Sequence, residues 1–197
     1  ITSHASVVAE TVQKILDVTI TWKIEAAGKI DADIAVTKDD EFPDLPRFGV
    51  RMFLDKKLSA VRYFGMGPQE SYCDKHQAAS HGLYQANVDD LHEDYIRPQE
   101  NGSHYDCEYV ELNNSRYGIV VSAENAFSFN ASYYTQEELE EKTHNYELIE
   151  SDSVVFCVDY ALNGIGSNSC GPVVLEQYRF DDVLFRFQFT LIPYIKG

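Results

Sequence analysis

The sequence predicts an all-β protein, a large antiparallel β-sandwich, and three observations predict it. Apolar and polar residues alternate with a period of two in several separate runs, as they do along a half-buried strand. Short turn-forming segments divide those runs. One stretch alone, near residues 136–144, carries the signature of a helix start.

Taken in order, Val18, Ile20, Trp22 and Ile24 alternate with Thr19, Thr21, Lys23 and Glu25. Ala27-Gly28-Lys29 then reads as a turn, and Ile30, Ala32, Ile34 and Val36 resume the alternation, giving a hairpin with one wet face. Phe48, Val50 and Met52 form the next strand pattern, and Leu58 to Phe64 another. Tyr117 to Ser122 and Ala126 to Ala131 read as a strand pair split at Glu124-Asn125. Ser153 to Tyr160 is an apolar run suited to burial on both faces. Val173 to Phe180, a turn at Asp181-Asp182, and the alternating Phe185, Phe187, Phe189 and Leu191 read as a final hairpin. Thr135 fits an N-cap with Glu138 three residues on, so the helix is expected to run to about His144. A weaker helical pattern covers Asp74 to Gln85. Gly65 to Tyr84 and Asp90 to Tyr105 hold long irregular stretches, and long structured loops in a β protein serve a site or an interface.

The 197 residues suit a single domain over 1–197, with no repeat and no low-complexity linker. With 16 basic against 32 acidic residues the formal charge is -16, a field that repels nucleic acid and anionic membranes. A neutral ligand such as a sugar is indifferent to that sign, and the plainest meaning of the charge is solubility. Nothing approaches the ~18 apolar residues of a membrane span. Cys73, Cys107, Cys157 and Cys170 show no C-x-x-C spacing, which favours free thiols in a reducing, cytoplasmic compartment. The chain does not begin with Met, and we read it as a fragment of something longer.

Chemistry is harder to place. Cys73, His76 and His81 are zinc-type residues without a fourth partner at a recognised spacing, so no metal site is expected. No G-x-S-x-G elbow is present. Cys170 sits in a glycine-rich loop with no basic neighbour to activate it, and a packing role suits it better than nucleophilic attack. Glycoside cleavage needs two carboxylates at a set separation, and the loop acids Glu70, Asp74 and Glu100 are candidates. Glu100 stands out between Pro98 and Gly102, with Asn101 and His104 beside it. The bland reading is that Glu100 and Asn101 bond backbone amides and support the loop.

A series of motifs carries a resemblance. Leu45-Pro46-Arg47-Phe48-Gly49 is followed by Tyr63 to Tyr72 with Gly67-Pro68-Gln69-Glu70, and by Tyr95 to Gly102 with Arg97-Pro98-Gln99-Glu100-Asn101-Gly102. Tyr133-Tyr134-Thr135, then Asp159 ahead of Gly164 to Cys170, complete it. In order and spacing this resembles the C-terminal domain of the large bacterial β-galactosidases, glycoside hydrolase family 2. The resemblance implies a galactose mutarotase-like supersandwich, incomplete at its N-terminal side. It places the two catalytic glutamates in a TIM barrel outside this chain, so no catalytic residue is expected here. It implies a pocket wall at Asn168, Ser169 and Cys170, where some members have a stacking Trp in place of Cys170. Glu100, Asn101 and His104 become loop support.

No cofactor is implied for this segment; Mg or Na would belong to the full enzyme. The implied partners are a β-galactoside substrate, the remaining domains or large subunit, and further copies in an oligomer. Ile1 to Thr11 is expected to be poorly paired, or to pair with a neighbouring copy through an open edge. Two other readings stay open: a stand-alone carbohydrate-binding or mutarotase-like module with His104 and Glu100, or His81 and Glu70, as acid and base; and a purely structural or oligomerisation domain.

Overall fold

The computed structural model describes residues 1–8, 13–166 and 173–196. The described strands are antiparallel and belong to one branched sheet. They are β1 (Thr2–Val8), β2 (Lys14–Ile24), β3 (Ile30–Lys38), β4 (Arg47–Asp55), β5 (Ala60–Gly67), β6 (Ser80–Asn87), β7 (Ser103–Asn113), β8 (Tyr117–Ser132), β9 (Ser153–Leu162) and β10 (Leu184–Ile195). The main path runs β1-β2-β3-β10-β8-β7-β5-β6, with β9 and β4 branching from β8.

The branch arises because β8 is long enough to serve two neighbours in succession. Its first half pairs β10, Val121 opposite Leu191, and its second half pairs β9, Phe129 opposite Val158. The two arms close over one apolar core. Phe185 on β10 meets Phe48 of β4 edge-on at 5.0 Å and stacks on Tyr160 of β9 at 4.8 Å between ring centroids. Val154, Phe156 and Val158 on β9 are fully buried, as the continuous apolar run requires.

The first hairpin follows its alternation. Ala32, Ile34 and Val36 are buried while Asp31 and Asp33 face the wet side, where Arg186 and Lys29 meet them. Gly28 takes φ of 90° in the connecting turn, a conformation costly for any residue with a Cβ. Burial fades along β2 toward Ile24, which is 58% exposed.

Four expectations are corrected. Tyr117 to Ala131 is one strand: no Gly or Pro lies between Ile119 and Ala131, and Glu124 and Asn125 simply face solvent within it. Residues 80–87 are strand β6 although the pattern over Asp74 to Gln85 predicts helix, because pairing with β5, Tyr84 opposite Tyr63, outweighs weak helical spacing. Residues 173–180 form no strand. Val173 and Leu175 are exposed, Glu176–Tyr178 is a single 3-10 turn, and β10 pairs β3 and β8. Residues 2–8 are paired throughout with β2, from Thr2 opposite Thr21 to Val8 opposite Lys14. This β1 is nonetheless an edge strand, exposed on both faces.

The helix α1 (Gln136–Glu141) is capped at Thr135, whose Oγ1 accepts from the Glu138 N–H at 3.1 Å. It stops short of His144 because Lys142 turns to an extended conformation as the C-cap, its N–H donating to the Glu138 carbonyl, and Asn145–Glu147 forms a separate 3-10 turn.

Candidate functional site

At one end of the sheet three loops gather: 65–76, 90–105 and the excursion between β9 and β10. Each is pinned by charged side chains, and the strands beneath decide which ones.

Arg47 opens β4 directly beside β9, and Asp159 lies on β9 in an otherwise apolar run. A lone buried carboxylate demands a partner. Arg47 supplies it with two prongs, Nε donating to Oδ1 at 2.8 Å and Nη2 to Oδ2 at 2.6 Å. Its third arm, Nη1, reaches Oε2 of Glu100 at 3.1 Å. Burial pulls the Arg47 guanidinium down, and the Asp159 bonds more than reverse it, so it stays charged. Burial raises the Asp159 carboxyl above its ordinary value, and the two-pronged Arg47 contact pulls it back only in part. Glu100 has weaker support. Burial raises its carboxyl, Arg47 pulls it down only in part, Asp159 pushes it up again, and its Oε1 is buried without a partner.

Glu70 is treated oppositely. Its Oε1 accepts from Lys75 and from the Tyr95 hydroxyl, and its Oε2 accepts from the Gly102 N–H at 2.8 Å. Burial alone would raise it, yet these donors hold it below the usual glutamate range. Asn101 completes the loop brace: Oδ1 accepts from the Glu93 N–H at 3.0 Å, and Nδ2 donates to the Gln99 carbonyl at 2.9 Å. His104 packs between Tyr63 and Phe129, and its Nδ1–H donates to the Met66 carbonyl at 3.3 Å. Burial pushes its pKa down to about 4, so the ring is neutral at pH 7.

Asn101 therefore bonds loop backbone, while Glu100 bonds Arg47 and the backbone amide goes to Glu70. Cys73 and His76 face carbonyls, of Leu162 and Tyr178 for the thiol and of Tyr72 for the imidazole. Asn168, Ser169 and Cys170 lie outside the described residues. Sequence reasoning quoted Arg47 and Asp159 only as motif members and missed their partnership. The available signal was one acidic residue inside a doubly buried strand.

Concavities open here among the described residues. A cleft of about 340 Å³ is lined by rings of Tyr72, Tyr105, Phe127, Tyr160 and Tyr178 together with Arg179. A groove of about 440 Å³ runs over Arg97, Glu100, Gln136 and Glu140.

The family model for the beta galactosidase small chain matches residues 1–191. A beta-galactosidase of Actinobacillus pleuropneumoniae is 50% identical over 179 residues, covering 91% of this chain and 17% of the relative. One from Staphylococcus xylosus is 38% identical over 188 residues, covering 95% of this chain and 19% of the relative. One from Kluyveromyces lactis is 32% identical over 168 residues, covering 84% of this chain and 16% of the relative. The chain thus spans less than a fifth of the length of these relatives. The match over residues 1–191 shows that the chain belongs to the beta-galactosidase small chain family.

Proposed function

We propose that this chain is the C-terminal segment of a retaining β-galactosidase, acting on terminal non-reducing β-D-galactose as in lactose. In this reading it completes the substrate pocket and excludes water beside a catalytic barrel carried by other polypeptide. Asn168, Ser169 and Cys170 wall the pocket, and Glu70, Asn101 and the Arg47–Glu100 contact brace the loops behind it. The observation that carries the reading is the match over residues 1–191 to a small chain whose relatives are beta-galactosidases five to six times longer.

The carboxylates support it. A retaining hydrolase needs one carboxylate free to attack and another free to give up a proton. Asp159 and Glu70 are each tied to a cation and Glu100 shares Arg47, so the gathered loop acids are spent on structure. A mutarotase-like module is less well supported, since His104 is committed to Met66 and Glu100 to Arg47.

The test is direct. The purified chain should leave a chromogenic β-galactoside intact, and activity should appear when it is joined to the polypeptide carrying the barrel. Cleavage by the rigorously purified chain alone would overturn the reading. In the full enzyme, Cys170→Trp should change the preference among acceptor sugars more than bond cleavage; an unchanged acceptor profile would count against the wall.

A further inference from the structure

The tyrosine-lined cleft owes its shape to a break in β7. The register of β7 against β8 shifts between His104 and Cys107 and again between Cys107 and Tyr109, and Asp106 takes φ of 56° inside the break. That left-handed region is uncommon for a residue with a Cβ, and bulges of this kind re-aim side chains away from the ladder. Here Tyr105 and Asp106 both line the cleft. Cys107 is buried behind them, and Gly65 makes room for it: a Cβ on Gly65 would lie 2.3 Å from Cys107 Sγ.

A second wall is the chain from Gln177 to Asp182, and it is fastened in place. The Gly164 N–H donates to the Tyr178 carbonyl at 2.9 Å, and the Phe180 N–H to Asn163 Oδ1 at 3.0 Å. The strand end that receives them is tied in turn, the Ile165 N–H donating to Asp74 Oδ1 at 3.1 Å. The rings are fixed as well. Tyr105 stacks on His76 at 5.8 Å, and its backbone N–H donates to Ser71 Oγ at 2.9 Å; Tyr160 stacks on Phe185. A ligand would meet walls already in place and lose little affinity to ordering them.

The lining sorts the ligands it could take. Tyr105, Tyr160 and Tyr178 are half-buried, so their rings offer flat apolar area, while Asp106, Arg179 and Asp182 supply acceptors and donors beside them. An anion would meet the two carboxylates, and a cation would meet the guanidinium. A neutral molecule avoids both conflicts. One with hydroxyls at its edge and C–H groups on its face uses every surface: the hydroxyls donate to Asp106 and Asp182 and accept from Arg179, and the face lies on a tyrosine ring. A pyranose has that form. The cleft, at about 340 Å³, stands at the small end of the ~300–1,000 Å³ typical of ligand pockets, which suits a single sugar or a disaccharide.

We propose that this cleft binds a neutral saccharide, a pyranose ring lying against Tyr105 with its hydroxyls shared among Asp106, Arg179 and Asp182. The inference stands on the cleft itself and does not depend on the galactosidase reading above.

The experiment uses the full-length enzyme carrying this segment, saturated with an iminosugar analogue of galactose. Binding of radiolabelled methyl β-D-galactopyranoside is then followed by equilibrium dialysis. Wild type should still take up the sugar saturably, with a Kd in roughly the millimolar range. Tyr105→Ala should weaken that binding roughly tenfold and Arg179→Ala roughly fivefold, while Tyr105→Phe, which keeps the ring, should bind as wild type does. Tetramethylammonium and inorganic phosphate at matching concentration should leave the sugar in place.

No saturable uptake by wild type, or uptake that neither Tyr105→Ala nor Arg179→Ala weakens, would overturn the proposal. Displacement by either ion would assign the cleft to that ion and overturn it too. Should Tyr105→Ala fail to fold, Arg179→Ala decides, since that side chain is exposed and its removal leaves the core intact. If the iminosugar fails to inhibit the enzyme, the galactosidase reading falls, and the two variants still judge the cleft.

Discussion

Two arginines in this molecule grip an aspartate in the same two-pronged way, and their settings could hardly differ more. Arg47 holds Asp159 with both side chains sunk in the protein, 20% and 2% exposed. Arg186 on β10 holds Asp33 on β3, Nε donating to Oδ1 at 2.6 Å and Nη2 to Oδ2, on the wet face at 62% and 32% exposure. The bonds are alike, so any difference in consequence comes from water. In the open pair each ion lost is replaced by solvent and salt. In the sunken pair nothing replaces it, and a stranded charge remains in a medium that cannot stabilise it.

That contrast can be broken at its strongest point first. Asp159→Asn leaves Arg47 buried without its main counter-ion and should cost roughly 3–5 kcal/mol, read from the urea midpoint. Glu70→Gln removes a carboxylate served by several donors and should cost about 2 kcal/mol near neutrality. This loss has a pH signature. Glu70 is held below its ordinary value of 4.5, so its stabilisation is present above that pH and fades as pH falls through the folded value. The gap between wild type and Glu70→Gln should therefore close in acid.

Glu100→Gln should do the reverse. Glu100 is raised above 4.5, so its ionisation opposes folding by an amount that grows from pH 4.5 up to its folded value and stays constant above it, and no cost remains below 4.5. The variant, whose amide oxygen can still accept from Arg47, should equal or exceed wild type at neutral pH and match it in acid. A clear loss at neutral pH that disappears in acid would show that Glu100 is a net stabiliser and sink the assignment. The smallest effect is expected from Arg186→Ala, whose unfolding midpoint should stay close to wild type at both low and high salt. A loss there rivalling that of Asp159→Asn would erase the distinction between the two forks.

Much of the scaffold could be read from residues alone, and the reason is locality. The β2–β3 hairpin, β4 and the buried β9 announce themselves within ten residues by alternation or by continuous apolar character, and Thr135 marks its helix within four. Errors came where the local signal was ambiguous. Exposed Glu124 and Asn125 look like a turn though the strand continues beneath them, and apolar Val173 and Leu175 look like strand though they face water. The site was less legible because its bonds are long-range. Arg47 and Asp159 are 112 positions apart, and Asp74 and Ile165 are 91 apart. Composition could suggest that Asp159 needs a cation; only the pairing of β4 with β9 could say which.

The length of β8 has a last consequence. Because a single strand from Tyr117 to Ser132 belongs first to one arm and then to the other, neither arm can melt without tearing the spine that the other depends on. Amide protons on both sides of Glu124 should therefore exchange with deuterium as one cooperative unit, and a lesion under Phe185 should be felt at Val158 without any ligand passing between them.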